Sequence, residues 1–109
     1  MPGDEVVVGV SAIVWFELMF GASKSTKRSE VERRRLRTFA GQLEVLPLDL
    51  AACEAAAAVR AQLEAVGKPI GSYDTLIAGH ALALSATLVT HNTREFSRVR
   101  GLKLADWAS

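Results

Sequence analysis

Three polar positions stand where the chain is otherwise apolar or turning: Glu17 in "AIVWFELMF", Asp74 in "PIGSYDTLIAGHAL" and Asn92 in "LVTHNTREF". Large apolar residues flank Glu17 on both sides. A carboxylate there must lie on a narrow exposed stripe, pair with a cation or ligate a metal, because burying it alone is costly. Asp74 follows Ser72 at a predicted helix start, where the helix dipole favours the ionised carboxylate. That placement suits a ligand for a hard cation, and it equally suits an ordinary first-turn aspartate. Asn92 lies among Thr90, His91, Arg94 and Glu95, directly after a β-like run. Polar side chains beyond a strand's carboxyl end face the crevice where α/β sheets bind ligands; a surface turn that caps a helix has the same composition. Two histidines and one cysteine without ligand spacing argue against a zinc site. There is no phosphate-binding glycine loop and no serine–histidine nucleophile motif.

The elements that must position these residues follow from the pattern. "EVVVGV" (Glu5 to Val10) is a β-branched run typical of a strand buried on both faces. Ser11 can cap the helix "AIVWFELMFGA", with Gly21 as its stop. Ser29 and Glu32 have capping-box spacing, and Leu36, Phe39, Ala40 and Leu43 then share a helical face. "EVLPL" is a short strand. Asp49 can cap a third helix, in which Leu50, Val59, Leu63 and Val66 supply bulk among alanines and which Gly67 ends. Ser72 can cap a fourth helix from about Tyr73 to Leu84, with His80 packed or half-exposed in its middle. "ATLVT" is a strand, "HNTREF" a loop or short helix, and "LKLADW" a last edge strand. The order is β-α-α-β-α-α-β-β, an α/β chain with a short, mostly parallel sheet.

A chain of 109 residues is expected to form one domain, residues 1–109. Its 50% hydrophobic and 23% charged content describe an ordinary globular protein, not a disordered one. A net charge of +1 announces no global attraction to nucleic acid, so an acidic polymer would need a local patch. Lys24 to Arg37 is the basic stretch that could provide one; a solvated helix face reads the same way. Cys53 cannot form an internal disulfide and is expected to be buried as a small hydrophobe. The apolar run Val6 to Phe20 is preceded by Asp4 and Glu5 and interrupted by Glu17, which fits neither a signal peptide nor a bilayer span. These features lead to the expectation of a soluble, cytoplasmic protein.

"SAIVWFEL", "GKPIGSYDTLIAGHAL" and "LVTHNTREFSRVRGLKLADW" together resemble the PIN-domain ribonucleases of the VapC toxin type, found in bacterial toxin–antitoxin pairs. The resemblance implies a PIN-like α/β/α sandwich on a parallel sheet and acidic residues that hold Mg²⁺ or Mn²⁺. It places Glu17 on the family's helix glutamate, Asp74 on the aspartate of its "IG-x-x-D-x-x-IA" motif, and Asn92 on a fourth acidic or amide position. Ser11, Thr90 and Arg94 match polar, RNA-facing positions. The implied activity is cleavage of structured RNA such as tRNA, and the implied assembly is a homodimer neutralised by an antitoxin. Clustered carboxylates repel one another until a cation relieves them, and the cation activates water and offsets phosphate charge.

Val14 stands where the family often has a hydroxyl residue, and His91 replaces a common asparagine. Family members also open with a strand bearing an essential aspartate, roughly "LDTN", before the strand read here at Glu5. The resemblance therefore implies an N-terminally truncated fold in which Asp4, ahead of its strand, is no substitute. Exposed strand edges would then favour dimerisation, swapping or a bound partner. An impaired PIN remnant that binds antitoxin or RNA without cleaving is the alternative function.

Overall fold

Parallel strands cannot be joined by a tight turn, and both strand pairs in this chain are bridged by helical crossovers. The computed structural model describes residues 9–24, 29–41 and 44–106. The chain divides into two compact units, Met1–Pro47 and Leu48–Ser109.

In the first unit, β1 (Gly9–Ser11) pairs in parallel with β2 (Glu44–Leu46), with Val10 opposite Val45. Gly9 is needed for that pairing: a Cβ there would stand 2.8 Å from Leu46 Cδ1 and 3.2 Å from the Glu44 carbonyl oxygen. Ser11 caps α1 (Ala12–Ser23) as expected, its Oγ accepting from the Ile13 amide at 3.2 Å. Gly21 does not stop α1. A mid-helix glycine weakens a helix without ending it, and closure comes at Lys24, whose amide donates to the carbonyls of Phe20 and Gly21. The Lys24 ammonium lies 5.1 Å from the centre of the Phe20 ring. α2 (Ser29–Ala40) has Ser29 as its first helical residue, and Glu32 pairs forward with Arg35 at 3.3 Å. Leu36 is half-buried, whereas Phe39 of the same predicted apolar face is exposed. Asp4, most of the predicted first strand, the Ala40 side chain and Leu43 lie outside the described residues.

The second unit contains every fully buried apolar side chain among the described residues. Asp49 caps α3 (Leu50–Ala65), Oδ1 accepting from the Ala52 amide at 2.9 Å. Ala52, Ala56, Val59 and Leu63 form its buried stripe, at spacings that return to one helical face. Cys53 lies one residue off that stripe and is exposed, contrary to expectation. Leu50 (74% exposed), the first residue of α3, and Val66 (62%), just past its end, lie outside the buried stripe. Gly67, at φ +70°, ends the helix with the Lys68 amide on the Leu63 carbonyl.

α4 (Ser72–Ala83) packs on α3 at Gly79, and its Thr75, Ile77, Ala78, His80 and Ala81 are buried. Its N-cap is Gly71; Ser72, expected to cap, is the first helical residue. The two backbones meet at Gly79, where a Cβ would lie 2.4 Å from both the nitrogen and the Cα of Ala56. α4 closes with Ser85 at φ +52° and the Ala86 amide on the Ala81 carbonyl at 2.9 Å. β3 (Thr87–Val89), α5 (Thr93–Phe96) and β4 (Lys103–Ala105) follow, with Leu88 opposite Leu104 in a second parallel pair. The α/β class and the parallel pairing expected from the sequence are present. Among the described residues, no helix is long and apolar enough to cross a membrane.

Two substitutions test this packing in opposite directions. Gly79→Ala forces a methyl against backbone that cannot rotate away, and should lower the unfolding free energy by about 2–3 kcal/mol in urea titrations. Ser85→Gly relieves a left-handed conformation at a helix C-terminus and should raise it by about 1 kcal/mol in the same assay.

Candidate functional site

The carboxylate with the most built surroundings is Asp74, the third residue of α4 and half-buried. Its Oδ2 is 3.5 Å from where a Cβ on Gly71 would stand, so the side chain folds back over the helix N-cap. That is where unpaired amides and the dipole favour negative charge. Beneath it, the buried Thr75 fixes the turn: its amide and its Oγ1 both donate to the Gly71 carbonyl, each at 2.9 Å. The lead-in to Gly71 is tied from afar, with Arg98 Nη1 donating to the Pro69 carbonyl at 3.1 Å.

The loop after β3 is organised by its own short polar side chains. The Thr90 amide donates to the Ala105 carbonyl at 3.0 Å and prolongs the β3–β4 ladder. Thr90 Oγ1 accepts from the Asn92 amide at 3.0 Å, the local turn that threonine favours. Asn92, exposed at the start of α5, donates from Nδ2 to Glu95 Oε2 at 3.4 Å, so its oxygen is the end suited to a cation. His91 Nδ1 stands 3.3 Å from Asp106 Oδ1, an ion pair only when the imidazole is protonated. Arg94 is exposed and makes no ion pair among the described residues.

Glu17 belongs to the first unit and is exposed on α1. With Leu18, Gly21, Ala22, Glu32 and Leu36 it lines a cleft of about 340 Å³ between α1 and α2. Glu32 was legible only as a helix-start residue; its place four residues before Leu36 on one helical face was the available signal for the cleft. Ser11 acts locally as the α1 cap. On α2, Arg33 pairs with Glu30 at 3.0 Å, and its hydrogen bond and charge hold the Glu30 carboxyl below the usual range. Arg34 and Arg37 are exposed and make no ion pair among the described residues, leaving them suited to phosphate. A different groove, about 380 Å³, runs between α3 and the start of α4 past Cys53, Arg60, Leu63 and Ile70; Asp74 does not line it.

The second unit thus carries Asp74, Thr90, Asn92 and Arg94, and the first carries Ser11 and Glu17. Among the described residues, no three His, Cys, Asp or Glu side chains gather as a metal site. The donors are nevertheless of the kind that fits Mg²⁺ or Mn²⁺: hard oxygens, of which Mg²⁺ commonly takes one or two carboxylates and completes its shell with water and substrate phosphate.

Comparison with known proteins places these observations. The PIN domain family matches residues 4–102. The tRNA(fMet)-specific endonuclease VapC of Shigella flexneri is 39% identical over 99 residues, which are 91% of this chain and 74% of that protein. Ribonuclease VapC2 of Rickettsia felis is 40% identical over 100 residues, 92% of this chain and 74% of that protein. Among solved structures, DNA-bound VapBC from Salmonella typhimurium superposes with a TM-score of 0.87 at 39% identity, over 91% of this chain and 74% of that one. VapBC-1 from nontypeable Haemophilus influenzae gives 0.90 at 32% identity, over 98% and 81%.

The threonine turn can be tested alone. Thr90→Val removes the acceptor for the Asn92 amide and should cost about 1 kcal/mol of stability in chemical denaturation, with Thr90→Ser retaining most of it.

Proposed function

We propose, from the premise that this chain belongs to the PIN-domain family and is a homologue of the VapC-type toxin–antitoxin ribonucleases, that it is a metal-dependent endoribonuclease acting on structured RNA such as tRNA. The observation that carries the reading is Asp74, a carboxylate folded over the N-cap of α4 within the block that carries the family likeness. Asp74 and Glu17 are the carboxylates that would hold Mg²⁺ or Mn²⁺, and the Asn92 oxygen would be a supporting donor. When bound, the cation supplies an activated water and offsets charge on the scissile phosphate.

The chain's own residues do the rest. The start of α4, with its unpaired amides and dipole, favours negative charge where Asp74 stands. Thr90 fixes the backbone from which Asn92 projects. Arg94 takes substrate phosphate, and so do Arg34 and Arg37 of α2, whose neighbours Arg33 and Arg35 are engaged by Glu30 and Glu32. Ser11 and Thr90 each match a polar, RNA-facing position of the family. The solved VapBC structures support a cognate antitoxin as protein partner. The chain works in the cytoplasm as a homodimer, each copy one PIN-like domain spanning both units.

A second reading, a PIN scaffold that binds antitoxin or RNA without cleaving, is favoured by one observation: no three metal-capable side chains gather among the described residues.

The two readings separate in one assay. Incubated with a tRNA pool and Mn²⁺, the chain should cleave, chelator should stop it, and Asp74→Asn should lose more than the roughly 10–100-fold that changes outside the ligand set cost. Cleavage by Asp74→Asn at the wild-type rate would remove Asp74 from the chemistry; metal-independent silence of the folded wild type would leave the binding scaffold.

A further inference from the structure

The stretch Lys68–Gly71 decides where α4 begins, and little local structure holds it. Gly71 is the N-cap but has no side chain with which to cap. Pro69 has no amide hydrogen to donate. The Lys68 amide is spent on closing α3 at the Leu63 carbonyl. Pro69 and Ile70 border the groove along α3, and among the described residues the side-chain hydrogen bond that reaches this stretch from afar is that of Arg98, whose guanidinium meets the Pro69 carbonyl across 29 positions of sequence.

Arg98 is exposed, but the backbone that carries it is anchored. Phe96 and Val99, on either side, are buried. Its amide donates to the Glu95 carbonyl at 3.1 Å, and Ser97 Oγ donates to the Arg94 carbonyl at 2.8 Å. The segment so fixed is the one that begins with Asn92 and Arg94. One guanidinium therefore joins the segment that presents Asp74 to the segment that presents Asn92.

We infer that Arg98 is a positioning residue that sets the direction of the Asp74 carboxylate through the Pro69–Gly71 backbone, an inference that rests on Asp74 being a metal-holding carboxylate. The Asp74 Oδ2 packs over Gly71, and the Gly71 carbonyl takes both Thr75 bonds. A shift of the lead-in is therefore passed directly to the first turn of α4. A guanidinium suits this task because it stays charged, is planar and makes charge-assisted hydrogen bonds.

Mn²⁺ binding, read by calorimetry on the full chain, tests this with wild type, Asp74→Asn, Arg98→Met and Arg98→Lys, each checked by thermal melting. Arg98→Met should fold yet need about three- to tenfold more Mn²⁺ for half-saturation, below the loss from removing Asp74 itself. The Thr75 amide should exchange faster in that variant. Arg98→Lys, which keeps a cationic donor, should fall between Arg98→Met and wild type. A wild-type isotherm for Arg98→Met, beside a lost one for Asp74→Asn, overturns the role of Arg98 alone. A wild-type isotherm for Asp74→Asn overturns the metal reading and this inference with it. Should Arg98→Met melt early, Arg98→Lys is judged by the same shift in half-saturation.

Discussion

The contact between Gly79 of α4 and Ala56 of α3 is the constraint on which the second unit rests. A side chain as small as alanine at position 79 would have to occupy space already filled by the Ala56 backbone. Such close approach lets the alanines of the core, Ala52, Ala56, Ala78 and Ala81, exclude water beside the larger Leu63, Ile77 and Phe96, since dispersion grows steeply as atoms reach contact distance. It also fixes the height and rotation of α4 against α3. Asp74 stands at the N-terminal end of that same helix, so a packing decision inside the core sets where a carboxylate emerges at the surface.

Several short polar side chains in both units are occupied in shaping backbone. Thr75 holds the first turn of α4, Thr90 holds the Asn92 amide, Ser11 starts α1 and Asp49 starts α3. Short polar side chains do this well because they reach only their own neighbourhood. The result leaves chemistry to residues with longer reach or full charge: Asp74, Glu17, Arg94 and the unengaged arginines of α2. Arginines at adjacent positions of α2 are thereby differentiated, for Glu30 and Glu32 engage Arg33 and Arg35 but not Arg34 and Arg37.

Local signals were legible in the sequence and remote ones were not. The caps at Ser11 and Asp49, the glycine stop at Gly67 and the strand at Thr87–Val89 depend on a few adjacent residues, and each appears where the pattern put it. The cap at Ser72 slipped by one residue because Gly71, with no side chain, gives no capping signal. Cys53, Leu50 and Val66 were misread as buried because hydrophobicity shows what can be buried, while the partner helix determines what is. The alanine run contained no mark of which alanines face α4; that choice is made by Gly79. For the site, the types and positions of Glu17, Asp74 and Asn92 stood out as polar interruptions. The cleft shared by Glu17 and Glu32 was signalled only by the spacing of Glu32 and Leu36, and the bond from Arg98 to Pro69, between residues far apart in sequence, carried no local signature.

That difference bears on how such a site tolerates change. The start of a helix favours a carboxylate's negative charge. The direction of Asp74 is a separate matter, because a glycine N-cap leaves the lead-in backbone without a side-chain anchor of its own. Charge is favoured at the helix start, whereas aim depends on the α3–α4 contact behind the helix and the Arg98 bond in front of it. Substitutions at either distant point can leave the carboxylate present and still misdirected. For a metal ligand, aim decides affinity as much as charge does, because coordination distances allow little slack.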